Sequence, residues 1–384
     1  MRIATAICLL AVCLMALMVG ILAIVQSTDH DGSRDYVEYW AAGQLLTHGA
    51  DPYDAASTFQ LERSAGWGPE GPEITRSPPV IFFLVATLGL VGERTGSVLW
   101  MILLIGSLAI SIHLLWILHG RRPGGLHLLC YCLAPVLTCL MAGQIGIFLL
   151  LGLVLFLYLH ERWPFFAGVA LVVCFWKPHL FLPFGLALLL WAVSRRQYRF
   201  LAGAGAGLLA ACVFAFCLDP HAWSQYRTMM IVAQPTEKPF VPTLSKMFRL
   251  LVHRDSVWLQ FVPAVVGGGW ALWYFWTRRS RWDWMGQGLL LLLVSVACAP
   301  YSWFTDESVL LPAILAALYR TEDAGRSLLP FGLIAGAALA VLLKGNWVTT
   351  PYFLWTVPGW LGWYLYATHG KGEAGGEDFA VPRQ

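Results

Sequence analysis

Asp35 is the residue of this sequence best placed to act as a general base. It precedes the segment 36–47, whose apolar and aromatic residues recur at helical spacing, so its carboxylate would stand at a helix N-terminus. A positioned carboxylate accepts a proton from a hydroxyl group. An aspartate at this position also commonly caps a helix by accepting hydrogen bonds from free backbone N–H groups. The sequence leaves both roles open.

Lys177 and His179 flank Pro178 at the end of a short apolar run, within FWKPHLFLP. A charged residue at the edge of an apolar run indicates function, because charge is costly inside a membrane. A lysine and a histidine placed there suit an anionic phosphate. The alternative is a lysine that only extends its ammonium group to the membrane surface.

Three further polar residues lie at the ends of two apolar runs. Gln144 follows Gly143 in MAGQIGIF, and Asp306 and Glu307 follow Trp303 in YSWFTDESVLLP. Gln144 either satisfies a helix end or contacts a ligand. The two acids either cap the next helix or contact a ligand.

The polar interval 26–78 carries nine of the 22 acids in a chain that is 58% hydrophobic, so it predicts a water-facing loop held by an apolar scaffold. Within it, we expect an amphipathic helix lying in the membrane interface over 35–47 and a second short helix over 54–63. The acids of the interval are Asp29, Asp31, Asp35, Glu38, Asp51, Asp54, Glu62, Glu70 and Glu73.

The mean hydropathy of +0.65 and a charged fraction of only 12% indicate a polytopic membrane protein. The net charge of +3 is too small to indicate a nucleic-acid partner. We predict an all-α domain over 1–368, with about twelve membrane spans beginning at 3–25, and a disordered cytoplasmic tail over 369–384. The nine cysteines lie in or beside apolar runs, which predicts no disulfide framework.

Arginine placement indicates the orientation. If 78–91 is a re-entrant or interfacial helix, short cytoplasmic loops hold 14 of the 25 basic residues, as the positive-inside rule requires. If 78–91 crossed, the later arginine clusters would face outside. We therefore predict cytoplasmic termini and place 26–78, 143–145, 177–179, 218–255 and 300–307 on the outer face.

No nucleotide-binding or hydrolase motif appears, and Asp29-His30-Asp31 is only a weak metal candidate. Five segments in order nevertheless resemble glycosyltransferase family 87, of the GT-C superfamily of membrane glycosyltransferases. They are RDYVEYWAAGQLLTHGADPYD, SPPVIFFL, GQIGIFLLLGLVLFL, KPHLFLPFGLALLLWAVSRR and SWFTDESVLLP.

The resemblance implies transfer of a sugar, a hexose such as mannose or a pentose, from a polyprenyl-phosphate donor to a lipid or glycan acceptor. The reaction would occur on the outer face of the cell membrane, with inversion. Asp35 would be the base, and no cofactor is required, although a divalent metal is compatible. Lys177 and His179 would hold the donor phosphate, and the sugar or acceptor contacts would be Tyr39, Trp40, Gln144, Trp303 and Asp306.

The principal alternative is a transporter or flippase of a lipid-linked glycan, and a non-catalytic membrane scaffold is a third class. A transporter would carry ionisable groups in the middle of its spans, or broken helices in two related halves. The sequence shows few mid-span charges and no related halves, so it favours the enzyme.

The topology is testable by accessibility labelling of single cysteines in intact cells. We expect positions in the loop 218–255 to react with a membrane-impermeant reagent and 121–125 and 194–199 to be protected. Labelling of the arginine loops from outside would overturn both the orientation and the site.

Overall fold

The computed structural model describes residues 35–66, 68, 71–232, 241–344 and 350–369. The predicted first span at 3–25, the Asp29-His30-Asp31 triplet and the tail beyond residue 369 lie outside these residues. Throughout the described part the chain is helical, with turns and loops but no strand. The all-α class predicted from the sequence is therefore confirmed.

Sixteen α-helices are found in the described residues. In chain order they are α1 Tyr36–Thr47, α2 Ala55–Ser64, α3 Phe82–Leu88, α4 Glu93–Leu118, α5 Ala134–Ala142, α6 Gly146–Leu159, α7 Pro164–Ala170, α8 Leu182–Ser194, α9 Tyr198–Leu218, α10 Ala222–Val232, α11 Leu244–Val252, α12 Val262–Arg278, α13 Leu289–Ala297, α14 Leu311–Asp323, α15 Leu329–Leu343 and α16 Thr356–Thr368.

Short 3₁₀ helices and one π-helical turn lengthen or join several of these helices. The 3₁₀ helices are Pro79–Ile81, Leu126–Cys132, Leu171–Trp176, Pro178–Phe181, Val257–Phe261, Arg279–Arg281, Phe304–Leu310 and Pro351–Phe353, and the π-helical turn is Trp284–Gly288.

Few helices reach the length of a membrane span. Among the described residues, α4 with 26 residues and α9 with 21 are long and apolar enough to cross, and the bent pair Pro164–Trp176 and Pro178–Ser194 is a third possible span. The expected count of about twelve spans is therefore not confirmed. The apolar runs are divided where proline or glycine ends a helix. The run 126–142, for example, breaks at Leu133, which leaves α5 only nine residues long.

The segment 78–91 folds as a short helical element, Pro79–Leu88. Ten residues of helix rise about 15 Å, half of the hydrocarbon core of a bilayer. Its length agrees with the expectation that this segment does not cross.

Helix α1 is enclosed by protein, which corrects the expectation of an amphipathic helix lying in the interface. Ten of its 12 residues are buried, on every side of the helix. The prediction of one apolar stripe was based on Tyr36, Tyr39, Trp40, Gly43 and Leu46. Val37, Ala41 and Leu45 lie outside that stripe and make the helix apolar all round, and such a helix is buried. It packs on α3 through two glycines: a Cβ added at Gly89 would lie 2.0 Å from the carbonyl oxygen of Gly43.

Helix α2 agrees with its prediction. The carboxylate of Asp54 accepts a hydrogen bond of 2.8 Å from the backbone N–H of Ser57 and so caps the helix.

Helix α1 ends at Thr47, and His48 is its C-terminal cap. Gly49 follows at φ 69°, a left-handed conformation that favours glycine.

Helices α7 and α9 pack backbone to backbone through glycine. A Cβ at Gly168 would lie 2.2 Å from the carbonyl oxygen of Phe200, and one at Gly203 would lie 1.9 Å from that of Phe165. Small residues allow this approach, as is common between membrane helices. The contact fixes the segment that continues through Leu171–Trp176 to Lys177.

This contact predicts that Gly203→Ala destabilises the protein by about 1–3 kcal/mol, because the added methyl group overpacks the interface. Gly205→Ala is a control on the same helix, since a Cβ there would meet no atom within 4 Å. Thermal unfolding in detergent would measure both. Equal melting temperatures for the two variants would contradict the packing.

Candidate active site

One cavity of about 130 Å³ collects most of the residues predicted to carry chemistry. Residues from the start of α1, the turn before α6, the break before α8 and the segment before α14 meet there, although they are far apart in the sequence. Its lining consists of Asp35, Glu38, Tyr39, Glu73, Ile74, Arg76, Ser77, Gln144, Trp176, Lys177, His179, Tyr301 and Trp303.

Asp35 precedes α1 but does not cap it. Its backbone is helical, at φ −58° and ψ −21°, and its side chain makes no capping hydrogen bond. The carboxylate oxygen Oδ2 instead accepts a hydrogen bond of 2.5 Å from Nε2 of Gln144, 109 residues away in the sequence. The sequence allowed Asp35 to be a helix cap instead of a base, and this alternative is wrong because its side chain does not cap α1.

Gln144 lies in a tight turn between α5 and α6. Gly143 before it has φ 70°, and a Cβ on Gly143 would lie 2.9 Å from Cβ of Tyr36. The indole N–H of Trp100 donates a hydrogen bond of 2.8 Å to the carbonyl oxygen of Gly143. Glycine is thus required both for the backbone conformation and for the close approach to α1, and the turn points Gln144 toward Asp35.

Lys177 occupies the break between two helical segments whose axes differ by 119°. It precedes Pro178 and has left the helical region, at φ −134° and ψ 67°, as expected for a residue before proline. Its ammonium group donates to Oδ1 of Asp306 at 2.7 Å and to Oε1 of Gln144 at 3.1 Å. The lysine therefore forms a buried ion pair and does not extend freely to solvent.

Asp306 lies behind the cavity and does not line it. It is completely buried, and its Oδ2 accepts a hydrogen bond of 2.9 Å from the backbone N–H of Trp303. The sequence offered capping or ligand contact as alternatives, and the structure shows the capping interaction together with the ion pair to Lys177. The adjacent Glu307 is also buried and accepts a hydrogen bond from the hydroxyl group of Thr356.

Of the other residues predicted to contact the phosphate, sugar or acceptor, His179, Trp303 and Tyr39 line the cavity and Trp40 does not. His179 and Trp303 line the cavity, and no described residue is a hydrogen-bond partner for the buried Nε2 of His179. Tyr39 reaches the cavity, with its ring stacked on Trp100 at 5.3 Å between centroids. Trp40 points elsewhere, and its indole N–H donates to the carbonyl oxygen of Val91 at 3.1 Å. Because Trp40 and Tyr39 are adjacent on a helix, they diverge by about 100°, and Trp40 is excluded from the cavity.

Several cavity residues were not predicted as site residues, notably Glu38, Glu73, Arg76 and Tyr301. Glu38 follows Asp35 by three positions, and that spacing places both side chains on one helix face. The sequence therefore held this signal. The others come from loop segments, whose spatial placement no local pattern reveals.

The acids of the cavity do not titrate at their ordinary values. Burial raises the pKa of Asp35, opposed by the hydrogen bond from Gln144 and by the positive charge of Lys177. Burial raises the pKa of Glu38 well above its usual range, and the neighbouring Glu73 and Asp35 raise it further. Glu38 is therefore the better candidate for a neutral acid, because two neighbouring carboxylates oppose its ionisation and its pKa is raised well above the usual range despite a hydrogen bond from Tyr39.

Glu62 of α2 holds the loop that brings Glu73 and Arg76 to the cavity. It is completely buried, and both of its carboxylate oxygens accept hydrogen bonds of 3.2 Å from the backbone N–H of Glu73. Burial raises the pKa of Glu62 to about 7.

In the part of the chain that the structure describes, no group of three or more His, Cys, Asp or Glu residues is arranged to hold a metal.

The ion pair can be tested through stability. Replacing Asp306 with alanine leaves Lys177, whose side chain is 11% exposed, without its counterion. Loss of one partner of a buried pair costs about 3–5 kcal/mol, so we expect Asp306→Ala and Lys177→Met each to unfold at lower temperature. The double variant should lose less than the sum of the two single variants. Wild-type stability of Asp306→Ala would contradict a buried pair.

The sequence model of glycosyltransferase family 87 matches residues 77–318, more than half of the chain. The matched segment includes Gln144, Lys177 and Asp306, whereas Asp35 precedes it. No curated protein and no solved structure matches the chain. The family match confirms the resemblance noted in the sequence, and the chain belongs to glycosyltransferase family 87.

Proposed function

We propose that this protein transfers a hexose or pentose from a polyprenyl-phosphate donor to a hydroxyl group of a lipid or glycan acceptor. The reaction takes place at the outer face of the cell membrane, with both termini of the chain in the cytoplasm. Family membership supports glycosyl transfer in general. The observation that carries the proposal is a single cavity in which Gln144 bridges a carboxylate, Asp35, and a cation, Lys177.

Asp35 is the general base of the proposed reaction. Its Oδ2 accepts a hydrogen bond from Nε2 of Gln144, and no other side chain in the described part of the chain donates a hydrogen bond to this carboxylate. Its Oδ1 therefore takes the proton of the acceptor hydroxyl. The hydroxyl oxygen forms a bond to the anomeric carbon as the bond from that carbon to the phosphate oxygen breaks, with inversion.

The leaving group departs as a polyprenyl phosphate that carries away the electron pair of the broken bond. Lys177 and His179 lie at the cavity to bind its oxygens, and Arg76 supplies a further positive charge. Positive groups that are already in place where negative charge develops stabilise the transition state without reorganisation. Lys177 is prepared in this way because Asp306 fixes its ammonium group.

The aromatic residues of the cavity supply flat surfaces for a sugar ring. Tyr301 and Trp303 lie edge to face, with 5.4 Å between ring centroids, and both line the cavity. Trp303 is therefore retained as a sugar or acceptor contact, together with the hydroxyl group of Tyr39. No step of this mechanism requires a metal or another cofactor.

Asp35→Asn tests the base assignment. Asparagine conserves size but cannot accept the proton, so we expect transfer to fall by about 100- to 10,000-fold. Donor binding and melting temperature should stay near wild type. The assay uses purified protein and a panel of polyprenyl-phosphate sugars, with product identified by mass spectrometry.

Asp54→Asn is the matched control, because Asp54 caps α2 and lies outside the cavity. Asparagine caps a helix about as well as aspartate, so this variant should keep wild-type turnover. Full activity of Asp35→Asn would move the base to another residue. A wild-type protein that used no polyprenyl-phosphate donor would overturn the donor class.

A further inference from the structure

The orientation of the Gln144 side-chain amide is determined by its neighbours. Its Oε1 lies 3.1 Å from the ammonium group of Lys177, 3.2 Å from the backbone nitrogen of Ile145 and 3.3 Å from the hydroxyl group of Tyr39. An ammonium group and a backbone N–H can only donate, so the atom facing them must be the oxygen. The amide nitrogen must therefore face Asp35, and the reversed orientation would set donor against donor.

The backbone under Gln144 is fixed as firmly as its side chain. Its N–H donates to the carbonyl oxygen of Cys139 at 3.0 Å, and its own carbonyl oxygen accepts from the thiol of Cys139 at 3.2 Å. The residue is 6% exposed. A buried amide with few alternative positions holds its hydrogen-bond partners in one geometry.

The far end of this chain of hydrogen bonds is anchored by a charge. Asp306 holds Lys177, Lys177 donates to Oε1 of Gln144, and Nε2 of Gln144 donates to Asp35. Lys177 donates in both directions, to Asp306 behind the cavity and to Gln144, and its positive charge next to Oε1 polarises the Gln144 amide so that its N–H donates more strongly to Asp35. Hydrogen bonding from this amide favours the ionised form of the carboxylate that receives it.

We infer that Gln144 is a positioning residue that keeps Oδ2 of Asp35 occupied and the carboxylate ionised, so that Oδ1 alone receives the acceptor proton. This inference rests on the proposed function for its role in transfer, although the hydrogen-bond geometry does not. It also replaces the sequence-based expectation that Gln144 contacts the sugar or acceptor directly. Gln144 links the base to the cation that would bind the donor phosphate.

Other ionisable groups face Asp35 and must be constant in any test. Glu38 lies in α1, which Asp35 precedes, and Lys177 and Asp306 lie across the cavity from Asp35. The other ionisable groups around the cavity are Tyr39, Glu73, Arg76, His179 and Tyr301. A substitution at position 144 leaves all of them in place.

The decisive variant is Gln144→Glu in the full-length protein. A glutamate at this position would be ionised beside Lys177, would no longer donate to Asp35, and would add a like charge next to it. Both changes favour the protonated form of Asp35, so the pH midpoint of its ionisation should rise by about one unit or more. The two carboxyls would titrate as a coupled pair, and the upper step is the one measured.

The pH midpoint of Asp35 ionisation can be measured without an enzyme assay. A hydrophobic carbodiimide modifies protonated carboxyl groups, and peptide mass spectrometry quantifies the modification of Asp35 as a function of pH. The same protein assayed with a polyprenyl-phosphate sugar should show the acidic limb of its pH–rate profile moving upward with that midpoint. An unchanged midpoint in Gln144→Glu would overturn the inference.

Gln44→Glu is the control for the substitution itself. Gln44 also donates its amide N–H groups to oxygen atoms, the carbonyls of Gly89 and Val91 at 3.2 and 3.1 Å, but it lies outside the cavity. The Asp35 midpoint should stay at its wild-type value in this variant. A shift of the same size in Gln44→Glu would show a general effect of added charge and would overturn the assignment to Gln144.

Gln144→Met tests the same point without a new charge, in case the glutamate variant does not fold. It removes the amide donor and should raise the midpoint by less than Gln144→Glu does. Absence of any shift in this variant overturns the inference. If the wild-type protein transfers no sugar from any polyprenyl-phosphate donor, the proposed function fails, whereas the carbodiimide measurement still decides the role of Gln144.

Discussion

The buried ion pair between Lys177 and Asp306 is the interaction on which the candidate site depends. An apolar chain can place a lysine beside a ligand cavity only if a partner offsets the cost of removing its charge from water. Asp306 is that partner, and it is completely enclosed. Because the pair fixes the ammonium group, Oε1 of Gln144 has a permanent donor, and Asp35 receives the opposite end of the amide.

The secondary structure around the pair follows from residues that end helices. Pro178 forces Lys177 out of a helix, and Gly143 allows the turn that carries Gln144. The ends of helices are where backbone groups and side chains can face a cavity within an otherwise apolar bundle. The same interruptions that shorten the predicted spans therefore create the positions at which polar side chains converge.

The sequence predicted much of this arrangement and missed identifiable parts. The long helices α4 and α9 coincide with the uninterrupted apolar runs 97–118 and 200–217, from which membrane spans are predicted, whereas the count of twelve spans is not confirmed where proline and glycine divide a run. Gln144 and Lys177 were singled out as polar residues at the ends of apolar runs and Asp35 as an acid before a helix, and the three do meet. Trp40 was misplaced because one helical stripe was assumed for a helix that is apolar all round. The pairing of Lys177 with Asp306 joins residues 129 positions apart, and no local pattern predicts such a contact.

That separation has a consequence for the order in which the protein is made. At 5–20 residues per second, Lys177 is synthesised roughly 6–26 s before Asp306. During this interval the lysine lacks the carboxylate of Asp306, which favours keeping its side chain in contact with water. The nascent chain thus carries an incomplete site whose charge is satisfied only when the segment 304–310 arrives. Completion of the candidate site is thereby tied to nearly complete synthesis of the bundle, and shortened chains that end before this segment lack Asp306.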